Sequence, residues 1–181
     1  MTNSSTLNRT LRLTLTAMFT AMTVILSMSI FSIPVPGGHL YFCDAIINFA
    51  AILLNPWEAF LVGGVGSFLG DFLFYPAPMF VSLVTHGLQA VVVSLISHRV
   101  LKSHPAAASG IGVSVGAVIM VIGYTLGRAY VYSTPEYSLL KLPFEILQAG
   151  FGAVFSMILC YPMRLRRLFA RRLPELGPQA L

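Results

Sequence analysis

The sequence predicts an all-α integral membrane protein, a bundle of six transmembrane helices with both termini on the cytoplasmic side. Three observations carry this. Of the 181 residues, 56% are hydrophobic and only 9% charged, whereas a soluble domain carries roughly a quarter charged residues. Apolar runs of about 20 residues, the length that crosses a bilayer core, recur along the chain. Nine of the eleven Lys and Arg residues fall in three segments flanking those runs, at 9–12, 99–102 and 164–172. That is the positive-inside pattern. It also accounts for the net charge of +5 without nucleic acid.

The elements follow in order. Arg9 and Arg12 lead into an apolar run over about 11–33, too long for the core of a signal peptide and without a small-x-small cleavage site. Pro34-Val35-Pro36-Gly37-Gly38-His39 has the chemistry of a loop. The second helix, about 41–54, spans only ~21 Å at the α-helical rise. A span that short calls for a protein-covered or locally thin place. Asn55-Pro56 turns the chain, and Trp57 with Glu58 marks the interface where the third helix, about 57–74, begins. Gly63, Gly64, Gly66 and Gly70 give that helix a nearly bare surface for close packing. Tyr75-Pro76-Ala77-Pro78 is a rigid external turn, and the fourth helix covers about 79–100. The fifth, about 110–132, carries Gly112, Gly116, Gly123 and Gly127 as a packing stripe. The sixth covers about 142–163, followed by a basic cytoplasmic tail, 164–181. Short connections and the lack of a linker predict one domain over 1–181.

Several chemistries find no support. Cys43 and Cys160 fall near opposite faces of the bilayer in this topology, beyond disulfide reach. The four His residues have no ligand-like spacing and no Cys-x-x-Cys occurs, so no metal site is expected. No phosphate-binding Gly-x-x-x-x-Gly-Lys-Ser/Thr loop is present. If ATP drives transport, the ATPase is another chain and this one needs no cofactor.

Function concentrates between Gly123 and Gly150. Intramembrane polar groups are costly and rare unless used, yet Arg128, Glu145 and Gln148 occur together here. Tyr124, Arg128 and Tyr132 are spaced four apart and share a helix face, placing a cation between two rings. His86 and Gln89 lie three apart on the preceding helix at similar depth. These groups come from three consecutive helices and predict a polar pocket open to the outside. An Arg128–Glu145 ion pair tying two helices together is the structural alternative, and Tyr75 and Tyr132 suit an interfacial aromatic belt equally well. Asp71 is expected as an interfacial surface charge. Ala17 and Ala21 make a small-x-x-x-small face on the first helix, a motif that ordinary packing also produces.

Taken in order, Ala17-x-x-x-Ala21, Gly38-His39-Leu40-Tyr41-Phe42-Cys43-Asp44-Ala45, Leu53-Leu54-Asn55-Pro56 and Gly63-Gly64-Val65-Gly66-Ser67-Phe68-Leu69-Gly70-Asp71 resemble the substrate-binding S component of energy-coupling factor (ECF) vitamin transporters. Within that family the pattern is most similar to the hydroxymethylpyrimidine or pyridoxine branch. There, Lys-Gly-Leu-Glu stands where this chain has His86-Gly87-Leu88-Gln89, a change that removes a charge pair. The resemblance implies a vitamin-binding subunit in a prokaryotic plasma membrane, without catalysis of its own. Ala17 and Ala21 would dock on a transmembrane coupling subunit (EcfT-type) that is bound to two cytoplasmic ATPases. The ligand would sit near the outer surface, with the loop 34–40 as a lid. Arg128, Glu145, Gln148, Tyr124, Tyr132, His86, Gln89, His39 and Tyr75 are the candidate binding residues. Riboflavin or pantothenate is the alternative cargo. An intramembrane enzyme using Glu145 and His86 in acid–base chemistry lacks a nucleophile or metal, and a purely structural subunit would bind no small molecule.

Overall fold

The computed structural model describes residues 3–28, 31–101, 103–166 and 168. The expectations for Lys102, Arg167, Arg171, Arg172 and most of the basic tail lie outside the described residues.

Helix α1 covers Asn3–Leu26. The expected continuation to residue 33 is corrected: the chain instead forms a hairpin of β1, Ile33–Val35, and β2, Gly38–Leu40, paired Ile33 to Leu40 and Val35 to Gly38. Pro34 disfavours helical geometry at Ile33, and Pro36 presets the turn. Gly37, at φ 80°, takes the left-handed position that a type II turn requires. The fold is therefore helical apart from this hairpin.

Helix α2, Cys43–Leu53, is buried along its whole length, among α1, α5 and α7. This is the covered place that its shortness called for. Its apolar residues, with Phe19 set edge-on to Phe49 at 5.6 Å and with Val62, Val93 and Val113, form the core. Helix α3, Pro56–Phe60, passes through a π turn at Leu61–Val65 into α4, Gly66–Phe74. Asn55 caps it in a capping box with Glu58, whose carboxylate also accepts two hydrogen bonds from Arg12 at 2.9 and 3.0 Å. That pair fastens α1 to the start of α3.

Helices α5, Met79–Arg99, and α6, Pro105–Gly127, pack along the glycine stripe, with Gly112 and Gly116 against Val93, Gly123 against Thr85 and Gly127 against Val81. The α4 side repeats the device. Gly63 lies so close to α5 that an added Cβ would come within 2.6 Å of the His86 carbonyl oxygen, and Gly70 is as tight against Ser27, just past the end of α1. A second π turn, Arg128–Tyr132, extends α6. Helix α7, Pro135–Cys160, begins earlier than the expected residue 142 because Thr134 caps it and Pro135 takes its first turn.

Five helical segments, Arg9–Leu26, Pro56–Phe74, Met79–Arg99, Pro105–Tyr132 and Pro135–Cys160, are long and apolar enough to cross a membrane, and α2 is a shorter apolar helix. Their outward faces carry exposed Val84, Val118, Leu126, Leu147 and Val154. A surface this apolar is matched by lipid.

Candidate binding cavity

The ends of α4 to α7 and the hairpin enclose a cavity of about 430 Å³. Arg128 and Glu145, 9% and 2% exposed, form an ion pair across α6 and α7, and Thr125 donates a further hydrogen bond to Glu145 Oε2 at 3.3 Å. Both ionic groups line the cavity, so the pair joins the two helices and also forms part of the wall. The π turn brings Arg128 over the Tyr132 ring at 5.6 Å. Tyr124 departs from the expected sandwich: its ring rests on His86 at 5.1 Å, and its hydroxyl donates to Ser82 at 2.6 Å. Ser82 in turn donates to Asp71 Oδ2.

The other candidates divide. Gln148, His86, His39 and Tyr75 line the cavity. Gln89 does not; it is buried, its Oε1 accepts from His86 Nδ1 at 2.8 Å, and its Nε2 donates to Asp44 at 3.2 Å and Asn48 at 3.1 Å. Ala17 and Ala21 are exposed on α1, beside Met18 and Met22, so packing within the chain does not occupy that face.

Four polar residues of the cavity region escaped the sequence reading. Asp71 is no surface charge: it lines the cavity and takes the Ser82 bond. Asp44, 1% exposed in the first turn of α2, accepts from Gln148 Nε2 at 2.7 Å as well as from Gln89. A helix N-terminus favours a carboxylate there. Lys141, 2% exposed, reaches from α7 to the His39 carbonyl, tying the hairpin to the bundle. Ser67, 3% exposed, lines the cavity with its hydroxyl lacking a protein partner. Burial beside the Asp71 carboxylate pushes the Tyr41 phenol up to about 12, which keeps it a hydrogen-bond donor at physiological pH.

The fold also gathers what spacing did not reveal. Ligating atoms of Cys43, Asp44 and His86 lie within 4.8 Å of one another. Both Asp44 oxygens and His86 Nδ1 already face amide groups, so those three atoms are engaged in hydrogen bonds.

A paired cation and anion, one further carboxylate, Asp71, and several tyrosines thus line one partly open space, a composition of the kind that small polar ligands occupy. Among known families, the ECF-type riboflavin transporter S component matches residues 7–165. The chain belongs to this S-component family. It is a multi-pass membrane protein of vitamin uptake, and S components in general work with a coupling subunit and ATPases. A relative from Pyrococcus woesei, described as an uncharacterized protein in gap 3'region, is 31% identical over 152 residues, covering 81% of this S component and 96% of the relative.

Proposed function

We propose that this S component captures a small heterocyclic vitamin or precursor, of the hydroxymethylpyrimidine or pyridoxine kind, from outside the cell and holds it for ATP-driven uptake. The polarity of the cavity carries this reading. Arg128, Glu145, Asp71, Lys141, His86 and Gln148 converge on about 430 Å³, and the tyrosines supply faces for one flat ring. A volume of this order suits a ligand that is nearly enclosed. Arg128 and Lys141 would meet ligand oxygens or ring nitrogens, and Glu145 would take a donor. The hairpin would act as the lid, with Lys141 as its latch. The exposed Ala17 and Ala21 face of α1 would dock on the coupling subunit of a complex with two ATPases, in a prokaryotic plasma membrane with both termini in the cytoplasm.

Riboflavin is the second reading, favoured by the name of the matching family. A tricyclic flavin buries a long apolar edge. Beside tyrosines, the cavity offers Phe74, Pro78 and Met120 as large apolar side chains. Calorimetric titration of the purified protein with hydroxymethylpyrimidine, pyridoxine and riboflavin decides. Tighter binding of either smaller ring is the expected result. Tighter binding of riboflavin would transfer the assignment to the flavin, and no heat with any of the three would remove the capture reading.

A further inference from the structure

The hydrogen bonds behind the cavity wall have a fixed direction, and that direction constrains the cargo. Tyr41 N–H, a backbone group that can only donate, gives its hydrogen to Gln148 Oε1 at 2.9 Å. Gln148 must then turn its amide nitrogen to Asp44 Oδ2, at 2.7 Å. Asp44 accepts on its other oxygen from Gln89 Nε2 at 3.2 Å. A reversed Gln89 would set its oxygen against both the Asp44 carboxylate and the Asn48 oxygen it now donates to at 3.1 Å. Gln89 Oε1 therefore faces His86 Nδ1 at 2.8 Å, and Asp44 Oδ1 lies 3.7 Å from the same nitrogen, so the His86 ring carries a proton on Nδ1. Its Nε2 is left as an acceptor, with no protein partner among the described residues, on a ring that lines the cavity.

A second chain of bonds ends the same way. Tyr124 O–H donates to Ser82 at 2.6 Å, and Ser82 donates to Asp71 Oδ2, leaving Asp71 Oδ1 without a protein donor among the described residues. The Tyr124 ring lies 5.1 Å from the His86 ring while its hydroxyl leads through Ser82 to Asp71, so Tyr124 links the two chains of bonds, and both His86 and Asp71 line the cavity. Ser67, one turn before Asp71 on α4 and also in the cavity wall, has an orphaned buried hydroxyl. An acceptor that a bound ligand shuts off from water without giving it a donor is costly, so a ligand that supplies donors here is selected over one that does not.

We infer that His86 Nε2 and Asp71 Oδ1 form a donor-reading edge, and that the cargo is a heterocycle presenting amino, amide or imide N–H groups to it. This rests on the capture reading and names the ligand chemistry of the same site. Gln89 and Asp44 are positioning residues: they set the tautomer of His86 without touching the cargo.

The test uses the full chain in bilayer nanodiscs with ¹⁵N-labelled histidine, the His86 signals being assigned by difference from His86→Gln. Two ring pairs are added in turn: the aminopyrimidine hydroxymethylpyrimidine beside its methyl-for-amino analogue, and riboflavin beside its analogue methylated on the imide nitrogen. The expected free protein has a ring protonated on Nδ1 and bare on Nε2. Binding of at least one parent ring moves the Nε2 signal, and its methyl analogue binds roughly ten- to hundredfold more weakly. In Gln89→Met, which removes the acceptor facing Nδ1, the tautomer preference shifts and that discrimination shrinks. A ring protonated on Nε2 in the free protein, as the other tautomer or as the imidazolium, overturns the inference whatever binds. A parent ring that binds without moving Nε2, or no more tightly than its methyl analogue, overturns the inference alone. Failure of both parents to bind overturns the inference, and failure of pyridoxine as well removes the capture reading with it.

Discussion

Arg128 and Glu145 show how cost points to use. Neither charge is tolerated alone at this burial, and each side chain is held by the other. Arg128→Ala would strand Glu145, a loss on the order of 3–5 kcal/mol that confuses binding with folding. The paired variant Arg128→Met with Glu145→Met keeps volume and charge balance. It is expected to retain the fold by circular dichroism while ligand affinity falls roughly a hundredfold, the loss expected for hydrogen bonds to charged groups. An unchanged dissociation constant would reduce the pair to a structural tie. These two residues were legible in the sequence because an apolar run makes a charge conspicuous. Asp71 was misread because it stands near a helix end, where a charge is ordinary. Asp44 was read as part of a motif and Gln89 as a contact, since spacing along α5 gives a face but not which neighbour takes the hydrogen bond.

At the scale of elements, helix packing depends on backbone approach. Gly63 lies against the His86 carbonyl, which cannot swing aside as a flexible side-chain end could. Gly63→Ala should therefore push α5 away and lower stability by about 1–3 kcal/mol, read as a fall in the thermal midpoint in detergent, and should displace His86 with it. A neutral effect would mean that α4 and α5 are looser than described. The hairpin is tied to α7 by Lys141, which donates to the His39 carbonyl and is proposed as its latch, and by Tyr41 N–H, which donates to Gln148 just after β2. Lys141→Met should speed ligand release in stopped-flow exchange more than it slows association; equal rates with and without the lysine would discard the latch. The glycine stripes and the turn at Asn55-Pro56 could be read directly because their residue types permit few other uses. The hairpin was hidden in a stretch read as loop, although Pro36-Gly37 is also turn chemistry. The early start of α7 was available in Thr134-Pro135-Glu136, a cap followed by a first-turn proline and an acid. The two π turns leave no comparable mark in residue order, and one of them positions Arg128.

The whole molecule separates two surfaces. The cavity gathers α4 to α7 and the hairpin, while α1 turns Ala17, Ala21 and their methionine neighbours outward. Replacing Ala17 and Ala21 by leucine should leave ligand affinity within twofold, because neither residue lines the cavity, and should abolish ATP-driven uptake when the coupling module is present. Uptake that survives the bulky pair would assign docking to another face. Composition made the all-α membrane class legible, since bilayer thickness and charge cost act on any sequence alike, whereas among the described residues five helical segments rather than six are long and apolar enough to cross. Which face each helix turns inward was legible only where glycine or an isolated charge marked it.

The central claim is that the cavity seats one flat, polar, ring-bearing molecule. Native mass spectrometry of the protein released from its own membrane tests it most directly. The account predicts one small heterocycle per chain, bound to the wild type and lost from the Arg128→Met, Glu145→Met pair. A wild-type chain that carries no small molecule and takes up none of the three vitamins, or an adduct retained equally by the paired variant, would contradict it.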